Sequence, residues 1–581
     1  MRGHEEFSGS DALSSLADTA LPPVAVLPPR CNVSEHITEQ ARTRPDATAI
    51  IEQATGRRIT FGELERTIQS LSAGLTQYGI CNGTRAVLAV RPGIEFVALV
   101  FALFRAAAVP IVVDPGMGRK NMLACIGEAK PQALIGISAA HALSKVFRKP
   151  FASVTKRVTV GRRYFWGGKT YAQLASVDAS SFKAPETHAS DLAAILFTSG
   201  ATGTPKGVEY EHGMFDGQVR AIRDYFDIRP GEIDVPCFAL FALFTVGMGC
   251  TIVLPDMDFS KPGSCDPAKV VAAIEQHKAS LTFGSPAVWA RVAPWLAGQE
   301  RKFPETLRRI LIAGASVPLK THEALAELLP NGRVFTPYGA TESLPVACID
   351  GRTLLEKFAT RMKSGEGTCV GKPLPGVEVR INPVGATYMS PLPAGQIGEI
   401  IVSSPMTTRA YFNRPEQTAA SKIIATSDSG LRASDLFHRM GDVGYFDAEG
   451  NLWFCGRANH VVHTAEGPLY PEQVEGVFNA MPHVMRSALI GYPVGAAEQI
   501  PAVVVDIAPV TGVPVTKVWA EVTAREKAVL ELGAGHPRTR GIARIIFDDD
   551  FPLDVRHNAK IDRIELARRH ALPVGGKGGS A

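Results

Sequence analysis

Residues 198–207 read Thr-Ser-Gly-Ala-Thr-Gly-Thr-Pro-Lys-Gly, directly after the strand-like run Ala194–Phe197. Glycines let the backbone turn so that several N–H groups face one spot, and the hydroxyls and Lys206 add donors around it. The stretch is not the Gly-x-x-x-x-Gly-Lys-Ser/Thr loop, because Pro205 precedes the lysine and Gly207 follows it. We therefore predict a nucleotide phosphate site at Thr198, Ser199, Gly200, Thr202, Gly203, Thr204 and Lys206.

The composition predicts a globular protein of two or more domains. A chain of 581 residues is too long for one core, and its hydrophobic fraction of 45% and charged fraction of 20% are ordinary. A net charge of +4 is small for this length, so we expect neither a nucleic-acid nor a membrane binder, and we see no basic stripe with interleaved aromatic residues. Nine cysteines lie without any CxxC spacing, which indicates neither zinc nor a disulfide scaffold.

The sequence gives no sign of an integral membrane protein. The amino terminus lacks the apolar core of a signal peptide, so the cytoplasm is the expected location. The apolar run Phe96–Val113 contains Arg105 and Pro110, and it is shorter than the roughly twenty apolar residues of a spanning helix. We predict a helix ending near Ala108 and a buried strand after it.

Three parts follow each other along the chain. Residues 1–30 read as an extended arm ending in repeated Leu-Pro-Pro. Residues 31–456 alternate strand and helix patterns, which predicts parallel sheets covered on both faces, and change after about residue 370 to short strands joined by Gly, Pro and Asn turns. Residues 457–581 contain one further helix–strand set, which predicts a small α+β domain.

The phosphate loop is the first of five motifs whose order makes them specific together. The others are Tyr338–Glu342, Gly441–Tyr445, Gly456-Arg457 and Lys560 within Asn558–Arg563. The set resembles the adenylate-forming superfamily of acyl-CoA synthetases, peptide-synthetase adenylation domains and luciferases, over all but the arm. The resemblance implies an α/β fold: a large amino-terminal domain of two parallel-sheet subdomains and a barrel-like β subdomain, followed by a small mobile α+β domain.

The resemblance also implies how ATP is held. Tyr338 would stack on adenine, Asp442 and Arg457 would hold the ribose hydroxyls, and Thr341 would contact the α-phosphate. Small residues complete the predicted nucleotide site; they are Ala313, Gly314, Ala315, Gly339 and Ala340.

The cofactors implied are ATP and Mg²⁺. Glu342 would ligate Mg²⁺, because a hard cation prefers carboxylate oxygen, and Thr198 is a weaker candidate ligand. Lys560 matches the lysine that stabilises the charge developing as a carboxylate attacks the α-phosphate and pyrophosphate leaves. Catalysis is thus assigned to Lys560, Glu342, Thr341 and Lys206, although Ala559 replaces the family's usual glycine before the lysine.

The sequence identifies the acceptor of the acyl group less clearly than it identifies the adenylation residues. The pivot of the family, usually Asp or Lys, is Asn459 here, and the family's Phe-His-x-x-Gly gate is Leu243–Gly247. These departures leave open whether a thiol accepts the acyl group. A fatty acyl-CoA ligase and a fatty acyl-AMP ligase that loads a carrier protein therefore remain alternatives.

Several stretches resemble one branch, the β-lactone synthetases of bacterial long-chain olefin biosynthesis. They are Val113–Gly118, Met257–Phe259, Gly284–Ala287 and Arg556–Ile561. That branch adenylates a long-chain 2-alkyl-3-hydroxy fatty acid, whose own hydroxyl then displaces AMP and closes a β-lactone. The resemblance implies this β-hydroxy acid as substrate, and it implies possible assembly with other olefin-pathway enzymes.

Two histidines near the pivot, His460 and His463, are candidate bases for the attacking hydroxyl if the terminal domain rotates, although interface packing explains each as well. Phe241, Phe244 and Gly284 are candidate walls of the acyl site, and core packing explains them equally. From another class, a nucleotide-binding regulatory module without chemistry is disfavoured by the presence of Lys206, Glu342 and Lys560.

Overall fold

The structure is a computed structural model that describes residues 30–197, 205–425, 436–510, 517–553 and 560–570. Most of the predicted arm lies outside these ranges. Arg30, its last residue, forms an antiparallel bridge with His188. The part of the chain after it folds around two large sheets that contain parallel strands.

The elements up to residue 211 build a seven-stranded sheet with helices against it, except that the first two strands belong to a second sheet. In chain order the elements are α1 (Glu35–Thr43), β1 (Thr48–Glu52), β2 (Arg58–Thr60), α2 (Phe61–Gln77), β3 (Arg85–Ala89), α3 (Ile94–Arg105), β4 (Val109–Val112), α4 (Arg119–Ala129), β5 (Ala133–Ile137), α5 (Ser138–Val146), β6 (Lys156–Val160), β7 (Lys169–Thr170), α6 (Tyr171–Ala175), β8 (Leu192–Phe197) and β9 (Gly207–Glu211). The sheet order is β7-β6-β5-β3-β4-β8-β9. All its pairs are parallel except β8 with β9.

A second parallel block continues the alternation. Its elements are α7 (His212–Tyr225), β10 (Ile233–Pro236), α8 (Ala239–Gly247), β11 (Thr251–Leu254), α9 (Pro267–Gln276), β12 (Leu281–Gly284), α10 (Pro286–Gly298), β13 (Arg309–Ile312), α11 (Leu319–Leu328), β14 (Arg333–Ala340), β15 (Ser343–Asp350), α12 (Gly351–Thr353) and α13 (Ala359–Lys363). Strands β1, β11, β10, β12, β13 and β14 lie side by side and are parallel.

Antiparallel strands follow, as the change of sequence pattern predicts. They are β16 (Thr368–Pro373), β17 (Glu378–Asn382), β18 (Gly398–Ser403), β19 (Lys422–Ile424), β20 (Leu436–Phe446) and β21 (Leu452–Arg457), with the helix α14 (Pro415–Ala420) before β19. They do not form a separate sheet. Because β15 pairs antiparallel with both β14 and β16, the strands join the parallel block in one fourteen-stranded sheet.

The carboxyl-terminal residues form smaller sheets of their own. A 3₁₀ turn at Ala458–His460 precedes β22 (Val462–Thr464), β23 (Gly467–Leu469), α15 (Pro471–Asn479), β24 (Val484–Tyr492), β25 (Ile500–Ile507), α16 (Val518–Gly535), β26 (Arg544–Phe547) and α17 (Arg563–Arg569). Strands β24, β25 and β26 form a three-stranded sheet. The domain boundary after residue 456 stays a prediction.

Local chemistry explains where the helices begin and end. Thr60 caps α2 in a capping box: its side chain accepts from the backbone N–H of Glu63, and the Glu63 carboxylate accepts from the Thr60 N–H. Asp266 caps α9 and is followed by Pro267 at the first turn. Helix α3 ends at Arg105, three residues before the predicted end, because Ala107 takes a positive φ of 53° that a helix does not allow.

The apolar run that contains Arg105 is a core helix. The Arg105 guanidinium is buried and donates from Nη1 to Glu65 Oε1 at 2.7 Å and from Nη2 to Glu65 Oε2 at 2.9 Å, while Thr38 lies 2.8 Å from Nη2. Glu65 comes from α2, which packs against α3. Within the described ranges, no helix has both the length and the apolar character needed to cross a bilayer.

We expect Arg105→Met to lower the free energy of unfolding by about 3–5 kcal/mol, because it leaves the Glu65 carboxylate buried without its partner. The double variant Arg105→Met/Glu65→Met should cost less, since neither charge is then stranded. Urea unfolding curves would measure both. Arg42→Met, which removes an exposed pair with Glu39, is the control and should cost less than about 1 kcal/mol. A double variant as unstable as Arg105→Met would contradict the assignment.

Candidate active site

One interconnected cavity of about 2760 Å³ brings together residues from distant parts of the chain. The predicted residues that line it are Lys206, Phe241, Phe244, Ala313, Gly314, Ala315, Tyr338, Gly339, Ala340, Thr341, Glu342, Asp442, Arg457, His460 and Lys560. Thr198, Ser199, Gly200, Thr202, Gly203 and Thr204 lie outside the described residues. Gly284, Asn459 and His463 are not among the lining residues.

The turn between β14 and β15 carries Thr341 and Glu342. The backbone carbonyl of Thr341 accepts from the Tyr210 hydroxyl, and that of Glu342 accepts from the Thr408 N–H at 2.8 Å. Gly339 lets the turn close, because a Cβ there would lie only 2.8 Å from the Ser343 carbonyl oxygen. The turn is therefore held from both sides, which fixes the Glu342 carboxylate at the cavity wall.

A buried carboxylate lies between two of the predicted nucleotide residues. Asp442 accepts from the Tyr338 hydroxyl at 2.6 Å through Oδ2 and from Arg457 Nη1 at 2.8 Å through Oδ1. Burial raises the pKa of Asp442, and the Arg457 guanidinium opposes that rise. Asp442 and Arg457 face each other across β20 and β21. Each carboxylate oxygen has two lone pairs, so both remain able to accept from further hydroxyl groups.

Tyr411 contacts both Lys206 and Glu342. The Lys206 ammonium lies 4.6 Å from the ring centroid of Tyr411, and the Tyr411 hydroxyl donates to Glu342 Oε1 at 2.7 Å. Phe197 and Gly207 pair across β8 and β9, so Lys206 stands where the strand pair opens into the predicted phosphate loop. The end of that loop and the Glu342 carboxylate therefore share one wall of the cavity.

Lys560 reaches the same cavity from the carboxyl-terminal part. Its positive charge lowers the pKa of Asp442, which indicates that the two side chains are near each other. Two contacts hold the backbone around it: Ile561 bridges Leu553, and Arg563 forms a two-pronged pair with Glu475 at 2.9 and 2.7 Å. This orientation of the carboxyl-terminal part brings Lys560 to the side of the cavity that holds the predicted nucleotide residues.

The two histidines near the pivot have different surroundings. His460 is buried, and burial together with the Arg563 and Arg457 guanidinium groups lowers its pKa to about 3. It is therefore uncharged at neutral pH and a weak base in this arrangement. His463 is exposed on β22. In this orientation of the terminal part, His460 is therefore a poor base and His463 does not line the cavity.

Aromatic residues line another branch of the cavity. Phe241 stacks on Phe283 with ring centroids 4.2 Å apart, and Phe244 lies 6.2 Å from Phe215. Gly284 lies behind this wall, where a Cβ would meet Trp289 Nε1 at 2.9 Å. The cavity thus has a charged region at the motifs and an apolar region between α7, α8 and the end of β12.

The sequence interpretation missed a buried basic pair and the tyrosine beside it. Lys422 donates to the Thr408 carbonyl and lies 3.1 Å from His438 Nδ1. Burial lowers the pKa of Lys422 to about 8 and that of His438 well below its usual value. The one feature of the sequence that could have indicated His438 is its position four residues before Asp442. Lys422 and Tyr411 belong to none of the motifs.

The comparisons with known proteins agree with this geometry. The model of the AMP-binding enzyme family matches residues 37–412. An olefin beta-lactone synthetase of Xanthomonas campestris is 44% identical over 92% of this chain and 97% of its own length. One of Stenotrophomonas maltophilia is 42% identical over the same shares. The resemblance inferred from the motifs is thereby confirmed.

Solved structures share the fold. The amide bond synthetase from Marinactinospora thermotolerans has a TM-score of 0.76 at 22% identity, covering 92% of this chain and 99% of that one. The O-succinylbenzoate coenzyme A synthetase from Bacillus subtilis, in complex with ATP and magnesium ion, has a TM-score of 0.71 at 21% identity, covering 91% and 98%. The α/β fold prediction is confirmed. This chain belongs to the AMP-binding enzyme family and is an adenylate-forming ligase that uses ATP.

Proposed function

We propose that the protein adenylates a long-chain 2-alkyl-3-hydroxy fatty acid and then closes it to a β-lactone, releasing pyrophosphate and AMP. The observation that carries the proposal is the likeness, over nearly the whole chain, to two olefin beta-lactone synthetases. The cavity supports it independently, because it joins a charged region to an apolar one. A fatty carboxylate in the apolar branch would present its charged end to the motif residues.

In the first step, a carboxylate oxygen attacks the α-phosphorus of ATP, and the bond from that phosphorus to the bridging oxygen of the β-phosphate breaks. Negative charge develops on the α-phosphate and on the departing pyrophosphate. Lys560 and Lys206 are the cations proposed to stabilise this charge, and the Thr341 hydroxyl is proposed to hold the α-phosphate. Positioning and electrostatics suffice for this step, so no covalent enzyme intermediate is required.

Glu342 fits a magnesium site. Its Oε1 accepts from Tyr411, and within the described part of the chain its Oε2 has no hydrogen-bond partner. Mg²⁺ is usually bound through one or two carboxylates together with substrate phosphates, which matches a single glutamate facing a triphosphate. Bound there, the ion would neutralise phosphate charge. Thr198, the other predicted ligand, lies outside the described residues.

In the second step, the oxygen of the substrate's 3-hydroxyl attacks the acyl carbon. The bond from that carbon to the AMP oxygen breaks, AMP leaves with its electron pair, and the hydroxyl proton passes to a base. Because the hydroxyl is tethered to the electrophile, its effective concentration is very high, and no thiol is needed.

Phe241 and Phe244 are proposed to line the acyl chain, while Gly284 supports the wall behind them.

The reaction is tested by incubating the protein with ATP, Mg²⁺ and a 2-alkyl-3-hydroxy acid, with and without coenzyme A. We expect AMP, pyrophosphate and a β-lactone in equal amounts without coenzyme A. The matched control is the same acid without its 3-hydroxyl, which should be adenylated but should give no lactone. Turnover only with coenzyme A would instead establish an acyl-CoA ligase. Adenylate retained until a carrier protein is added would establish an acyl-AMP ligase.

A second prediction concerns the base for ring closure. Moving the turn that carries His460 away from Arg457 would remove one of the charges that lower the pKa of His460. We expect His460→Gln/His463→Gln to leave pyrophosphate exchange unchanged and to slow lactone formation by about 100-fold or more.

Single-turnover assays from preformed acyl-adenylate measure the lactone step directly. His188→Gln, a change at an exposed histidine, is the control. Lactone formation at the parent rate in the double variant would exclude both histidines as the base.

Three further predictions from the sequence remain predictions: the assembly with other olefin-pathway enzymes, the pivot at Asn459 and the cytoplasmic location.

A further inference from the structure

The positive charge of the chain is concentrated in one segment. Between Ala129 and Val177 there are nine lysines and arginines and no aspartate or glutamate. The whole chain carries only +4, so the remainder is net acidic. This asymmetry is hidden in the overall charge, and it typically marks an interaction surface.

A loop in this segment, residues 161–169 from the end of β6 to the first residue of β7, is firmly held. Trp166 is buried, stacks on the His141 ring at 5.3 Å, and donates from Nε1 to Thr159 Oγ1 at 2.9 Å. The Ser138 hydroxyl donates to the carbonyl of Arg162. The loop therefore has a defined shape, with Trp166 as its anchor.

The same loop presents apolar side chains to solvent. Phe165 is 83% exposed and Tyr164 is 49% exposed, although both rings touch the edge of the Trp166 anchor. Arg162 lies 5.0 Å from the centroid of the Tyr164 ring, and Arg163 donates to the Gly168 carbonyl. Two exposed aromatic rings and two arginines thus project from one anchored loop, where the aromatic rings contribute little to the core.

Helix α5 continues this surface. Its exposed positions are Ala139, Ala142, Lys145 and Val146, of which Val146 is 74% exposed, and the exposed Arg148 and Lys149 follow directly. We call residues 138–149 and 161–169 together the α5 surface. It combines small and apolar side chains with cations and has no acidic residue of its own.

The other side of the α5 surface belongs to the cavity. Ala140 and Leu143 on α5, and Gly161 at the start of the loop, line the cavity that also contains Tyr338 and Phe241. The apolar space therefore extends beneath the segment that carries the exposed aromatic rings.

We propose that the α5 surface docks the protein on an anionic phospholipid bilayer, with Tyr164 and Phe165 entering the interfacial region and the surrounding cations facing the lipid headgroups. Aromatic side chains favour the membrane–water interface, and each lysine or arginine near an anionic surface adds attraction that salt screens. Peripheral binding strengthens with buried apolar area and with attraction to anionic lipids, and the α5 surface offers both. The proposal concerns where the protein works, beyond the reaction it catalyses.

Vesicle flotation tests the docking without any substrate, so its outcome is separate from that of the lactone assay. At low ionic strength we expect the protein to float with vesicles of phosphatidylcholine and phosphatidylglycerol and to remain behind with phosphatidylcholine alone. Arg162→Gln/Arg163→Gln should lower the affinity by about tenfold or more, and high ionic strength should have a similar effect. Tyr164→Ser/Phe165→Ser should weaken the binding that remains at high ionic strength.

Matched variants elsewhere separate this surface from general stickiness. Val384→Ser/Tyr388→Ser removes two exposed apolar side chains, and Arg229→Gln/Lys527→Gln removes two exposed cations; both should bind vesicles like the parent protein. Thermal unfolding midpoints confirm that each variant is folded. Absence of binding to anionic vesicles, or equal loss in the control variants, overturns the proposal. Binding to polyglutamate but not to vesicles also overturns it and indicates an acidic protein partner.

Discussion

Asp442 is the charge on which the arrangement of the site depends. Its buried carboxylate is held by Tyr338 from β14 and by Arg457 from the end of β21. These strands lie in different parts of the fourteen-stranded sheet, and the 3₁₀ turn that leads to the carboxyl-terminal sheets begins directly after Arg457. Asp442 therefore orients the tyrosine ring through a hydrogen bond that links two regions of the sheet, and it pairs with Arg457 at the point where the chain leaves the sheet. Removing Arg457 would leave the buried Asp442 carboxylate without its counter-charge.

The rest of the charged region is assembled around that centre by the fold. The β8–β9 pair delivers Lys206, the β14–β15 turn delivers Glu342, and Tyr411 joins the two. Lys560 comes from the carboxyl-terminal part of the chain, and its positive charge lowers the pKa of Asp442. The apolar branch is then formed by aromatic residues of α7, α8 and β12. A substrate with a charged head and a long tail is complementary to this division.

Local features were predictable from the sequence because they depend on neighbouring residues. The capping box at Thr60 and the Asp266-Pro267 helix start are examples. Features that depend on distant pairing were not predictable. Lys422 meets His438 only because β19 pairs with β20, and the partner of Arg105 is forty residues away on another helix.

The arrangement of charged and aromatic side chains at the surface also depends on distant contacts, which the sequence alone does not reveal. The small net charge of the chain suggests neither a nucleic-acid nor a membrane binder, and the sequence shows no basic stripe with interleaved aromatic residues. In the structure Trp166 turns inward as an anchor while Phe165 and Tyr164 turn outward beside arginines, and the proposed docking surface rests on this arrangement. Which aromatic residue is buried depends on His141 and Thr159, and no local pattern reveals that choice.

The central claim is that Lys560, together with the residues around Asp442 and Glu342, makes a fatty carboxylate electrophilic at the expense of ATP. Acid-dependent exchange of labelled pyrophosphate into ATP measures this step alone. The account predicts exchange with the 3-hydroxy acid, and a loss of about 100-fold or more in Lys560→Ala with nucleotide binding retained. Lys527→Ala, a change at an exposed lysine, should exchange normally. Exchange at the parent rate in Lys560→Ala would contradict the account.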